Sequence, residues 1–321
     1  MSCAICGGSE SGTLFDIPYL RPFRVDRCST CGVAVTVPAL DVKEISRYYP
    51  STYYGKGGRK FIRLIESLVH LSRLRRAQRI QRYAPQGRIL DVGCGGRTYF
   101  LESLHDLGWE VYGNELTDFP EFKELEGRGF RFQIRDFLAC EYPEKTFDAV
   151  VFWHVLEHLP RTVEAVRKAR GMLRTGGMLV LALPNRSSLQ ALWAGPHWFH
   201  LDIPRHYYHF TLETMKDLLI RQGFEIFYVS HFSFEQDLFA WIQSIYNKMG
   251  IRHNLLYNLL RNRHARIYAM SPALILQSLI VLSLLPAVGL ASVILFFVDI
   301  VRRRGGSMEI YARKTAHGPN P

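Results

Sequence analysis

The chain has 321 residues, 48% of them hydrophobic, with 40 basic against 29 acidic side chains and a formal net charge of +11. That length and apolar content support one large domain with appendages and exclude a chain too polar to bury a core. The positive excess favours an anionic partner: phospholipid, a phosphorylated or lipid-linked small molecule, or nucleic acid. There is no internal repeat, and the N-terminus lacks the charged-then-apolar layout of a secretory signal, so it is expected to stay in the cytoplasm.

Two Cys-x-x-Cys pairs come first, Cys3 with Cys6 and Cys28 with Cys31, each followed by a glycine (Gly7, Gly32). In a reducing compartment this pattern predicts one tetrahedral Zn²⁺ held by four thiolates. Four ligands leave no open position, so the metal is expected to be structural and to supply folding energy that so short a loop lacks. Residues 59–82 read as a helix. Phe61, Leu64, Ile65, Leu68, Leu71 and Leu74 recur at three- and four-residue spacing among eight basic residues and a single acid, Glu66. Such a helix suits an anionic lipid surface or, equally, a cap on a sheet.

Arg88 to Val92 is a strand-like run that breaks into Gly93-Cys94-Gly95-Gly96, with a helix-like segment, Tyr99 to Leu107, behind it. Glycines there admit a ligand to the backbone, and the helix start offers unpaired N–H groups. Asp91 at the strand end suits a cationic ligand better than a pyrophosphate. Glu115 closes the next apolar strand and is placed to accept from ribose hydroxyls. Further strand signals follow at Phe130 to Ile134, Phe147 to Trp153 and Met178 to Leu183. Strands alternating with helices predict an α/β fold, a doubly wound parallel sheet with its ligand at the carboxyl ends of the strands.

Leu90–Gly96, Glu115, Asp136, Phe147–Leu159 and Leu173–Asn185 together resemble the class I S-adenosylmethionine-dependent methyltransferases. The resemblance covers roughly residues 75 to 230 and a last strand near the C-terminus. It departs from the common pattern at Arg97, where a third glycine is usual. It implies a Rossmann-like seven-stranded sheet and S-adenosyl-L-methionine as cofactor. Asp91, Gly93 and Gly95 would lie at its methionine end, Glu115 at its ribose, and Asp136 and Phe137 about its adenine. Many members carry a similar N-terminal zinc module.

Six of the twelve histidines fall between residues 154 and 209. His154-Val155-Leu156-Glu157-His158 follows the fourth strand, where the resemblance places the acceptor. His154 and His158 would share a helix face, but no separate third ligand for a metal is evident in the stretch. Trp193–Thr211 is too long for a turn and reads as a lid or acceptor wall. From it, Arg205 with Trp198 and Tyr207 are expected to meet the acceptor. His206 and His209, with His154 and His158, are the candidate bases for a hydroxyl or acidic carbon. Thr211 reads as the cap of a helix over Leu212–Gln222 that stops at Gly223.

No charged residue lies between Met270 and Val298. Pro286 and Gly289 split the run into halves of about 18–20 Å, each too short to cross a bilayer. Arginines flank both ends: Arg261, Arg263 and Arg266, then Arg302, Arg303 and Arg304. This predicts an apolar hairpin, about residues 272–301, that enters the membrane and returns, leaving the protein on the cytoplasmic face. Phe224 to Val229 and Met308 to Lys314 read as the closing strand pair, which makes 232–306 an insertion between them.

The expected organisation is a zinc-ribbon-like module (1–40), a linker with the basic helix (41–83) and the cofactor-binding core (84–231). The insertion (232–306), the last strand (307–315) and a loose tail (316–321) complete it. The expected function is methyl transfer to a lipid-linked, sugar-related or isoprenoid acceptor at a membrane surface. RNA methylation and a non-catalytic cofactor-binding scaffold are the alternatives. Nucleic acid is the less favoured partner, because much of the charge flanks apolar segments.

Overall fold

The computed structural model describes residues 2–49, 63–84, 86–261 and 271–316. The start of the basic helix (59–62), Arg263 and Arg266, and nearly all of the tail lie outside them.

A seven-stranded sheet organises the chain. Its strands are β4 (Arg88–Val92), β5 (Glu110–Glu115), β6 (Arg131–Ile134), β7 (Phe147–Trp153), β8 (Leu173–Pro184), β10 (Phe224–Ser230) and β11 (Ser307–Lys314), in the order β10-β11-β8-β7-β4-β5-β6. The strands from β6 to β8 run parallel, and β11 is antiparallel to both its neighbours. The central strands are apolar on both faces because helices cover both. Alternate residues feed two cores. Leu90, Val92, Phe152, Leu181 and Ile310 pack on one side with α5 (Thr162–Met172) and α7 (Leu212–Arg221). Ile89, Val151, Val180 and Tyr311 pack on the other with α2 (Arg63–Tyr83) and α3 (Tyr99–Asp106). A further helix, α4 (Pro120–Glu126), brings Phe122 to stack on Phe132 at 4.1 Å near the β6 edge. Thr211 caps α7 and Gly223 follows its end at φ +73°, as the sequence predicts.

The N-terminal strands β1 (Ser11–Asp16), β2 (Arg24–Cys28) and β3 (Ala34–Val37) are joined by β9 (Tyr208–His209) into one four-stranded sheet, followed by α1 (Val42–Ser46). Residues 1–40 therefore complete their sheet with a strand from the Trp193–Thr211 stretch. Thr36 fastens the joint: its N–H donates to the Tyr207 carbonyl at 3.0 Å and its hydroxyl to the His206 carbonyl at 2.6 Å.

Two expectations need correction. On α2, Leu71 and Leu74 point outward, while Val69, Arg76, Ala77 and Ile80 are buried. The helix turns the stripe Val69, Arg76, Ala77 and Ile80 toward α3 and the sheet, and Leu71 and Leu74 are left on its outer side. The apolar hairpin is also absent. Beyond α6 (Leu189–Ala194), α8 (Phe239–Lys248) and α9 (Leu255–Leu260) comes one continuous helix, α10 (Pro272–Arg302). Its 31 residues span about 46 Å. Pro286 removes one internal hydrogen bond, but the turns on both sides are anchored. The Tyr246 hydroxyl donates to the Val281 carbonyl at 2.7 Å, and the Trp241 indole N–H donates to Asp299 at 2.6 Å. The chain still leaves β10 and returns at β11 as an insertion must, since those strands pair from Phe224↔Lys314 to Ser230↔Glu309.

Candidate active site

The strand order reverses between β4 and β7, and the glycine turn leaves β4 there. Such a switch point opens a crevice at the carboxyl ends of the strands. Gly93 and Gly95 adopt φ +68° and +65°, a region open to glycine at little cost. A Cβ on Gly93 would stand 2.6 Å from the Val155 side chain. The Gly93 N–H donates to the Asn114 carbonyl at 2.8 Å, and the Gly95 N–H donates to Glu115 Oε2 at 2.8 Å. Glu115 also accepts from the Leu116 N–H at 2.7 Å and is 6% exposed. Burial raises its pKa against these bonds.

Asp91 is 5% exposed, and burial pushes its carboxyl up to about 7 although Arg76 and Arg73 pull it down. Arg76 is the residue that sequence reasoning missed. Its guanidinium is buried, lies 3.4 Å from the Trp153 ring centroid and 5.2 Å from that of Phe100, and is offset by Glu235, Asp91 and Glu309. Its Nε has no hydrogen-bond partner among the described residues. The signal was available, since Arg76 falls in the same stripe as Val69, Ala77 and Ile80. Of the adenine pair, Asp136 is exposed and accepts from the Leu138 N–H at 2.7 Å. Phe137 is buried, edge-on to Phe152 at 5.3 Å. Phe137 packs in the core that α5 covers, beside Phe152.

The two histidine stretches converge. His154 sits at the end of β7 with φ +55°, a strained conformation for a side-chain-bearing residue. Its Nδ1 lies 3.3 Å from Glu157 Oε1 and its Nε2 lies 3.4 Å from the Ser307 hydroxyl. His158 and His206 stand edge to face with centroids 4.4 Å apart. Burial lowers the pKa of both, leaving neutral rings at neutral pH.

The rest of the expected acceptor wall serves the fold instead. His209 is buried, 3.0 Å from the Thr36 hydroxyl, and burial lowers it to about 3. Trp198 is 1% exposed and packs with Ile17, Phe23 and Val25 of the N-terminal sheet. The Tyr207 hydroxyl donates to the Leu40 carbonyl at 2.9 Å. All three join the N-terminal module to the core: His209 within β9, Tyr207 just before it, and Trp198 from the stretch that leads into it. Arg205 is ion-paired with Asp202 and lies over the Tyr49 ring.

Cys3, Cys6, Cys28 and Cys31 converge, with Cys3 and Cys31 Sγ atoms 3.8 Å apart and Cys6 and Cys28 3.7 Å apart. None forms a disulfide. A tetrahedron with Zn–S bonds of about 2.3 Å has S···S edges of about 3.8 Å.

Residues 64–229 match the family model described as "Methyltransferase domain". The chain belongs to that family. It carries an S-adenosylmethionine-dependent methyltransferase domain, as the sheet order and the turn had indicated. A ubiquinone biosynthesis O-methyltransferase of Xanthomonas campestris pv. campestris (strain B100) is 36% identical over 110 residues, 32% of this chain and 45% of that protein. The chain therefore spans less than half the length of that relative. Similar solved structures include a SAM-dependent methyltransferase from Archaeoglobus fulgidus, 22% identical, with a TM-score of 0.47 over 84% of this chain and 99% of that one. The [4+2]-cyclase SpnF is 18% identical, with a TM-score of 0.48 over 76% and 81%.

Proposed function

We propose that the protein transfers a methyl group from S-adenosylmethionine to a hydroxyl of a lipid-linked or isoprenoid acceptor at the cytoplasmic face of a membrane. The observation that carries the membrane reading is the polarity of α10. Its inward stripe includes Ser278, Ser292 and Asp299 beside Val281, Val288 and Phe296, whereas Leu276, Leu279, Leu290, Ile294 and Phe297 face outward. Only 17% of its apolar window is buried. A soluble core helix shows the reverse. Packing from Phe232 and Phe234 against Phe296 to Arg252 against Gln277 holds the helix along the domain. This supports an in-plane, monotopic attachment, with exposed Arg302, Arg303 and Arg304 at its end for anionic headgroups.

The cofactor fits the turn. Asp91 offers a carboxylate to its ammonium, Arg76 a cation to its carboxylate, and Glu115 acceptor lone pairs to its ribose. When bound, it supplies an electrophilic methyl on a sulfonium. His154 takes the hydroxyl proton at Nε2, since Glu157 holds Nδ1 and so sets the tautomer. Val155 and Phe119, packed over Gly93 and Gly96, keep water from the turn. The name of the Xanthomonas relative, a ubiquinone biosynthesis O-methyltransferase, supports oxygen as the acceptor atom. The four cysteines hold a structural Zn²⁺, and Cys28→Ser is expected to lower zinc content by one ion per chain in mass spectrometric metal analysis.

The acceptor class is tested by supplying methyl-tritiated cofactor to membranes containing the protein. Label entering the organic extract supports the reading. Label entering RNA would transfer the assignment to nucleic acid, and no label in any fraction would favour a non-catalytic binder.

A further inference from the structure

We infer that Glu157, His158 and His206 form a second metal site, distinct from the four cysteines, for a divalent transition-metal ion such as Zn²⁺. The ligand atoms of these three residues lie within 4.8 Å of one another. The sequence brings only two of them together; the third arrives because β9 carries the Pro204–His209 segment over the loop after β7, where the Tyr207 N–H donates to the Glu157 carbonyl at 2.9 Å. Two imidazoles and one carboxylate suit Zn²⁺ or Fe²⁺ and leave positions open.

Three observations point to a cation rather than to packing. First, His206 Nδ1 lies 3.0 Å from the His200 carbonyl. A carbonyl only accepts, so the proton sits on Nδ1 and the Nε2 lone pair faces Glu157 Oε1 at 4.0 Å and Asp202 Oδ2 at 3.8 Å. Second, His158 Nδ1 lies 3.1 Å from the Arg205 carbonyl, with the Tyr49 hydroxyl at 2.9 Å. The carbonyl can only accept, so the proton sits on Nδ1, shared with the tyrosine oxygen as a second acceptor, and Nε2 keeps its lone pair. Backbone carbonyls orient metal-binding imidazoles in this way. Third, Glu157 is 1% exposed and its Oε2 has no hydrogen-bond partner among the described residues, although Oε1 serves His154. A buried carboxylate oxygen left without a donor costs about 1–3 kcal/mol or more, and a cation removes that cost. The nearby cation Arg205 is already paired with Asp202.

Ligand atoms about 2.0–2.1 Å from an ion stand roughly 3–3.4 Å apart, so the shell draws in by about an ångström on loading. Asp202 is placed to complete it, and a hydroxyl oxygen of the acceptor would take an open position.

The site is tested by loading the full-length protein with Co²⁺. The expected result is two equivalents per chain, the first with thiolate charge-transfer bands and the second without them. Glu157→Gln and His206→Gln should each remove the second equivalent, weakening that step at least tenfold, while S-adenosylhomocysteine still binds and shows the fold intact. In wild-type protein, Zn²⁺ should also shift the Nε2 nitrogen-15 resonances of His158 and His206, a readout that needs no variant. Saturation at one equivalent, unmoved resonances, or a second equivalent that survives both substitutions would overturn the site. Binding is read without turnover, so this result is independent of whether methyl transfer is found.

Discussion

Two helices carry the molecule's least ordinary surfaces, and they are opposites. α2 is rich in arginine yet turns Arg76 inward beside Asp91, whereas α10 is almost wholly apolar yet turns its leucines outward. Neither arrangement helps the fold by itself. Burying a guanidinium costs several kcal/mol unless partners compensate, and each leucine left in water forgoes about 1.5–3 kcal/mol. The proposed function assigns a partner to each: a small zwitterion at α2 and lipid at α10.

The contrast can be broken at its inward seam first. Val288→Asp places a charge in the stripe that α8 and α9 cover. It is expected to destabilise the protein by about 3–5 kcal/mol, seen as a lower midpoint in denaturant unfolding. Leu279→Asp with Ile294→Asp makes a like change on the outward face. There each acid should weaken contact with lipid with little loss of folding stability. Membrane pelleting should fall while cofactor affinity holds. Equal destabilisation by the inward and outward changes would mean that α10 is buried against protein on both sides.

A smaller effect sharpens the α2 end. The Asp91 carboxyl is raised to about 7, so it is partly protonated near neutral pH. A raised acid favours its neutral form in the folded state; stability from this group is therefore present at low pH and declines as pH rises through about 7. A ligand ammonium needs the ionised form. Affinity for S-adenosylhomocysteine should rise by up to about tenfold per pH unit below 7 and level off above it. Asp91→Asn should flatten that profile, as calorimetry across pH would show.

Much of this was legible in the sequence. The β4 turn, the parallel strands, the Thr211 cap and the closing pair β10–β11 follow from local periodicity and glycine placement, and the structure has them within a few residues. What was not legible depends on how elements roll or on contacts distant in sequence. Leu71 and Leu74 sit at core-like spacing, but α2 buries Val69, Arg76, Ala77 and Ile80 instead, with Arg76 held beside Asp91 and over Trp153. Pro286 is a breaker in isolation, but α10 runs through it where Val281, Leu284, Leu285 and Val288 pack on α8 and α9 and Tyr246 bonds to Val281. Trp198, Tyr207 and His209 looked like an acceptor wall because their residue types suit one. Their work is set by β3, some 170 positions away, through contacts such as Thr36 with His206. His206 reaches Glu157 by the same joint, which is why a three-ligand cluster was invisible along the chain.

The central claim is that the buried cation of α2 and the glycine turn form one cofactor site. Titrating detergent-purified protein with S-adenosylhomocysteine by calorimetry, beside Arg76→Met, tests it most directly. The account predicts binding by the wild type and a loss of about 10–100-fold in the variant, in keeping with a buried charge-assisted contact of about 1.5–3 kcal/mol. Unchanged affinity in a folded Arg76→Met protein would contradict it and leave Arg76 as a partner of Glu235 and Glu309 alone.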